Sequence, residues 1–133
     1  MSKSVQYRLE PIGIIRSPIA DRANAPKQGS ERGLEGDLVV DSQYADALLG
    51  LAPGQKILIL YWLHLSRRDC LQVHPRGDLS RPLRGVFATR SPDRPNPIGV
   101  ELVEILKIEG TTITVRGLDA VDGTPLIDIK CDV

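Results

Sequence analysis

The stretch VELVEILKIEGTTITVRG, Val100 to Gly117, decides the fold class. Two runs rich in β-branched residues flank Glu109-Gly110, and glycine supplies the positive φ that a tight turn between antiparallel strands demands. Working outward from this hairpin (Gly99 to Ile108 and Thr111 to Leu118), the chain continues in short β-type runs punctuated by Gly and Pro. These are Tyr7 to Arg16, Gly36 to Val40, Lys56 to His64, Cys70 to His74 and Arg84 to Arg90. The run KILILYWL, Lys56 to Leu63, is apolar nearly throughout and reads as a central strand. One short helix is expected over SQYADALLG, with Asp41 or Ser42 to cap it and Gly50 to end it. The pattern predicts an all-β fold, a β-barrel with one short helix and long functional loops; a sandwich is the alternative.

A chain of 133 residues holds one domain with a real core but not two ordinary ones, so a single domain is expected over 1–133. With 41% apolar residues, five aromatics and no apolar run near the ~18 residues of a membrane span, a soluble protein is expected. Met1 to Ser4 do not resemble a signal peptide, and Cys70 and Cys131 lack the paired spacing of a zinc site. Two histidines do not make a zinc centre either, so no metal is expected. His74 stands before a proline and near Asp78, where a loop hydrogen bond is the expected role. Reduced thiols and a cytoplasmic location follow as the default.

Net charge is zero, which argues against indiscriminate nucleic-acid binding, yet the charges are unevenly spread. Between Arg67 and Arg94 stand seven arginines and no lysine, opposed only by Asp69, Asp78 and Asp93. The planar guanidinium grips phosphate or carboxylate through two parallel hydrogen bonds, so this usage points to an anionic ligand as readily as to surface ion pairs.

Two segments read as neither strand nor helix: Ala20 to Glu35, and Pro75 to Pro82. Long loops on a β scaffold commonly carry function. RSPDRPNPIGV, Arg90 to Val100, is a third. Each proline fixes its own φ and biases Ser91, Arg94 and Asn96 toward extended backbone, so the segment is stiff. Such a loop either presents Arg90, Arg94 and Asn96 to a ligand at low entropic cost, or forms a corner in which Arg94 and Asn96 satisfy neighbouring carbonyls.

The sequence resembles the TsaA-like, or TrmO, family of S-adenosylmethionine-dependent tRNA methyltransferases. The resemblance runs from PIGIIRSP through the PKQ of the first loop and GVFATRSPDRPNPIGVELVEIL to GLDAVDGTPLIDIK. It implies a β-barrel that binds S-adenosylmethionine outside the doubly wound framework and methylates N6 of the threonylcarbamoyl-adenosine beside the anticodon of certain tRNAs. The chain has no GxG, in keeping with a different nucleotide pocket.

By similarity to the family, the cofactor contacts are Pro26, Lys27 and Gln28, His64 with Leu65, Arg90 and Val100, and the turn Ala120, Val121, Asp122 and Gly123. Read from residues alone, Asp122 and Gly123 are ordinary turn chemistry. Candidate bases for the departing acceptor proton are Asp119, Asp122 and His64. Arg94 with Asn96 is the expected grip on the substrate's carboxylate or adjoining phosphate, and Arg67, Arg68, Arg76 and Arg84 are the expected tRNA-facing charges. Longer family members carry a C-terminal extension beyond the position of Val133 that bears on tRNA binding. A homodimer is expected, to complete the binding groove. The alternatives are an S-adenosylmethionine-binding module without transferase activity, and a methyltransferase acting on a small molecule or protein.

Overall fold

The computed structural model describes residues 4–21 and 33–133. Among the described residues there are eight strands: β1 (Gly13–Arg16), β2 (Glu35–Val40), β3 (Lys56–Trp62), β4 (Gln72–Val73), β5 (Arg84–Gly85), β6 (Ile98–Glu109), β7 (Thr112–Arg116) and β8 (Pro125–Cys131). Six of them close into an antiparallel barrel in the order β1-β2-β7-β6-β3-β8, with β8 returning to β1. The small β4-β5 ribbon stands apart from it.

The expected hairpin is β6-β7: Glu109 pairs with Thr112, and Gly110 takes φ +60° in the two-residue turn between them. β3 is central as expected, paired along one side with β6 and along the other with β8. Alternation then sorts its apolar run, with Ile57, Ile59 and Tyr61 pointing into the barrel and Leu58, Leu60 and Trp62 half-buried on the outside. The core is made the same way on every strand, from Ile15, Leu38, Val103, Ile105, Ile113, Val115 and Leu126. Closure removes the unpaired edges that an open sheet of this size would offer to other chains.

The short helix is a 3₁₀ helix over Ser42–Leu48, with Asp41 in extended conformation at its start and Gly50 at φ +99° just past its end. Two further 3₁₀ turns, Pro75–Gly77 and Val86–Ala88, interrupt the arginine-rich excursion. Here the expected runs shrink. Arg84 to Arg90 is strand only at Arg84–Gly85, because Arg94 and Thr89 draw the carbonyl of Val86 into a turn. Tyr7 to Ile12 lies outside any strand and β1 begins at Gly13. β8 has no counterpart among the expected strands. Leu60 faces Asp128 while Tyr61 faces Leu126, so Ile127 is an extra residue that breaks the apolar alternation. Among the described residues no helix is long and apolar enough to cross a membrane. Cys70 and Cys131 are both free.

Candidate functional site

A cleft of about 440 Å³ opens where the ends of β3 and β6 meet the loop after β7 and the arginine-rich excursion. Leu63, Leu65, Val100, Ala120 and Val121 supply its apolar wall, and Arg76, Arg90, His64 and His74 its basic rim. Tyr61, Glu101 and Asp119 also line it.

This last group is the polar centre of the cleft. Tyr61 is 4% exposed and donates its hydroxyl to Asp119 Oδ1 at 2.7 Å. Glu101 is 7% exposed and hydrogen-bonded to Asp119. Burial, and then the neighbouring Asp119 charge, push the Glu101 carboxyl up to about 8. Burial also raises Asp119, opposed by the hydrogen bonds it accepts from Tyr61 and Glu101. Both effects assign the proton to Glu101 and the charge to Asp119, since Asp119 accepts two hydrogen bonds that favour its ionised form. The Tyr61 hydroxyl is raised by burial first, then by Asp119 and Glu101. Arg90 acts the other way on both Tyr61 and Glu101, yet among the described residues no ion pair includes either carboxyl.

The backbone explains how the three meet. Tyr61 pairs with Gly99 across β3-β6, and its ring occupies the space where a Cβ at residue 99 would stand. The turn that carries Asp119 is pinned to β1: Ser17 Oγ donates to the Ala120 carbonyl at 2.6 Å, and the Gly123 N–H donates to the Ile15 carbonyl at 2.8 Å.

The RPNP loop is stiff, and its side chains are spent on itself. The Arg94 guanidinium donates to the carbonyls of Val86, Thr89 and Ser91 at 2.9 to 3.2 Å. Asn96 Oδ1 accepts from Arg68, which also donates to the Pro95 carbonyl and stacks 5.4 Å from the centre of the Trp62 ring. Arg94 and Asn96 thus build the corner that was the alternative reading, through both terminal nitrogens of the guanidinium and through Asn96 Oδ1, while Arg94 also lines the cleft.

Of the expected cofactor contacts, His64, Leu65, Arg90, Val100, Ala120 and Val121 come together in the cleft, whereas Pro26, Lys27 and Gln28 lie outside the described residues. Asp122 and Gly123 are not part of the lining. Asp122 turns away to accept the Ser17 N–H at 3.1 Å and to face Arg16 at 3.8 Å, so its carboxylate serves β1. Of the candidate bases, His64 and Asp119 remain in the cleft. Arg67 is held by Asp69 at 3.0 Å, away from the cleft, and Arg68 is the brace just described. Arg76 lines the cleft. Arg84 lines a second hollow with Arg81 and Arg90, and the two hollows share Pro75, Thr89 and Arg90. His74 makes its expected loop bond, Nδ1 lying 2.9 Å from the Arg81 carbonyl oxygen. Among the described residues no cluster of His, Cys, Asp or Glu is arranged to hold a metal.

Glu101 and Tyr61 were not among the expected site residues. Strand parity carried the signal: Glu101 shares one face of β6 with Val103 and Ile105, and Tyr61 shares one face of β3 with Ile57 and Ile59.

The model of the tRNA-methyltransferase O N-terminal domain matches residues 14–133. The chain belongs to this TrmO family. A probable S-adenosyl-L-methionine-binding protein of Methanothermobacter thermautotrophicus is 48% identical over 126 residues, 95% of this chain and 90% of that protein. An S-adenosyl-L-methionine-binding protein of Archaeoglobus fulgidus is 45% identical over 122 residues, 92% of this chain and 86% of that protein. The crystal structure of TrmO from Pseudomonas aeruginosa superposes with a TM-score of 0.79 at 30% identity, covering 97% of this chain and 57% of that one. The chain therefore spans little more than half of that TrmO.

Proposed function

We propose that this TrmO-family chain is an S-adenosylmethionine-dependent methyltransferase acting on N6 of the threonylcarbamoyl-adenosine beside the tRNA anticodon. The observation that carries the reading is one cleft of about 440 Å³ that brings together an apolar wall, arginines, the buried Glu101 and the half-buried Asp119. That volume falls in the range of roughly 300–1,000 Å³ common to small-molecule sites. The residues fit the cofactor's chemistry. Leu63, Val100, Ala120 and Val121 suit an adenine face, Arg90 suits the amino-acid carboxylate, and Glu101 with Asp119 suits the cationic groups. His64 and Leu65 at the end of β3 complete the cofactor contacts. Relatives bearing the name S-adenosyl-L-methionine-binding protein support the same choice.

When bound, the cofactor supplies an electrophilic methyl group for in-line displacement. The chain's own part is alignment, exclusion of water and proton handling. Asp119, fixed by Tyr61, is the proposed acceptor of the proton that leaves the methylated nitrogen. Arg84, in the hollow that shares Arg90 with the cofactor cleft, is the proposed contact to the acceptor's anionic groups, with Arg76 on the rim between and Arg81 beside it, paired with Asp78 at 3.6 Å.

One domain spanning the chain belongs to the same reading, supported by closure of the barrel through pairing of β1 with β8. So does a homodimer, supported by Leu71, Leu79, Leu83 and Phe87 exposed along the excursion. A cytoplasmic location is supported by the two free thiols.

The test is to incubate the protein with methyl-labelled S-adenosylmethionine and tRNA carrying threonylcarbamoyl-adenosine, digest, and weigh the nucleosides. Label on that nucleoside is the expected result. Cofactor binding with no label on tRNA would move the reading to a different methyl acceptor or to a binding module.

A further inference from the structure

Two carboxyls share the floor of the cleft with no cation paired to them among the described residues, and one of them is more than nine-tenths buried. A buried acid pair is ordinarily matched by a guanidinium, an ammonium or a metal. Two of the three arginines that line the cleft do not supply that match. Arg94 is turned onto loop carbonyls, and Arg90 influences Glu101 and Tyr61 only from beyond ion-pair distance. The unmet charge faces the same space as the proposed cofactor.

We propose that the Glu101–Asp119 pair reads the sulfonium charge of the methyl donor, giving up its shared proton as the charged cofactor docks and thereby favouring S-adenosylmethionine over its neutral-sulfur product. The inference rests on the reading of the cleft as an S-adenosylmethionine site and deepens it. With the cleft empty, the pair holds one proton, on Glu101, and one negative charge, on Asp119. A cation beside the pair favours the doubly ionised form, so the O–H bond of Glu101 breaks, the electron pair stays on its oxygen, and the proton passes to the buffer.

After transfer the thioether is neutral. The pair then takes a proton back, and the site loses its preference for what it holds. The hydroxyl of Tyr61 keeps Asp119 in place through this exchange, itself un-ionised because burial disfavours the phenolate. The other titratable or charged groups facing the cleft, among the described residues, are Arg90 and Arg94 ahead of β6, His64 after β3, and His74 and Arg76 beside β4.

The test is calorimetric and needs no turnover. Binding of S-adenosylmethionine and of S-adenosylhomocysteine is titrated in two buffers of different ionisation heat, between roughly pH 5.5 and 7.5, where the raised carboxyl is still protonated in the free protein. Release approaching about one proton with S-adenosylmethionine and none with S-adenosylhomocysteine is expected, with the affinity ratio rising up to roughly tenfold per pH unit. Glu101→Gln keeps a hydrogen-bond donor to Asp119 but has no proton to give, so its ratio should stay flat with pH.

Equal proton release with both ligands would show that the pair reads the α-ammonium, and tight binding without release would show that the pair gives up no proton to the donor; either overturns the inference while leaving the cofactor reading intact. Failure of the wild-type protein to bind S-adenosylmethionine would overturn both. The wild-type comparison stands alone if the variant does not fold.

Discussion

At the residue scale, the consequential group is Glu101, a carboxyl on a core-facing strand position. Its raised protonation makes it a stability group as well as a site group. The folded chain binds its proton more tightly than the unfolded chain, so its stabilising contribution is complete below about pH 4.5 and is lost as pH rises through about 8. Wild-type melting temperature should therefore fall between about pH 5 and 9 more steeply than that of Glu101→Gln, which holds the same hydrogen bond to Asp119 at every pH. Parallel melting curves across that interval would mean that Glu101 is ionised in the folded protein. The residue was legible in principle from the sequence. Valines and isoleucines at 103 and 105 fix the inward face of β6, and parity then puts Glu101 on it. It went unseen because a glutamate in VELVE reads most simply as the polar half of an alternating strand.

At the scale of elements, the site depends on how closely β3 and β6 approach at Tyr61 and Gly99. A methyl group at residue 99 would overlap the Tyr61 ring, which cannot retreat without giving up its bond to Asp119. Gly99→Ala should cost about 1–3 kcal/mol, as overpacking generally does, and should weaken cofactor binding with it. Gly85→Ala, where a Cβ meets only the Leu71 carbonyl oxygen at 3.9 Å, should stay within about 0.5 kcal/mol of wild type by chemical denaturation. Equal losses from the two would refute the packing argument.

The element scale also marks the limits of the sequence. The hairpin, the central strand and the stiffness of the RPNP loop followed from β-branched alternation, apolar length and proline chemistry. Which way that loop's side chains turn did not, because the choice depends on Arg67 and Arg68, a long way back in the chain, reaching Asp93, Pro95 and Asn96. β8 was hidden by its bulge at Ile127, and the β4-β5 excursion by 3₁₀ turns that cut its runs short.

At the scale of the whole molecule, a net charge of zero conceals a division of labour among the arginines. Composition counted seven of them in one segment and could not say which were spent. In the fold, Arg94 and Arg68 brace the RPNP loop, and Arg67 is neutralised by Asp69 on an exposed surface. Arg84 lines the hollow beside the cleft, next to Arg90 and to Arg81, which is paired with Asp78 at 3.6 Å. If a polyanion is the acceptor, these residues should differ in their salt signatures. A phosphate contact releases a condensed counterion, so losing one lowers the slope of log affinity against log salt by roughly 0.7 to 0.9. Arg84→Ala should lower that slope by about one contact, and weaken binding most at low salt. Arg67→Ala should leave slope and affinity nearly as they were, since its charge is already opposed by Asp69 and an exposed pair of this kind is screened by solvent and salt. The measurement is tRNA affinity by fluorescence anisotropy over a salt series, for the wild type and both variants. The reverse ranking would put the acceptor on the Arg67 face of the excursion, and no change in either would argue for a small acceptor that never reaches beyond Arg90.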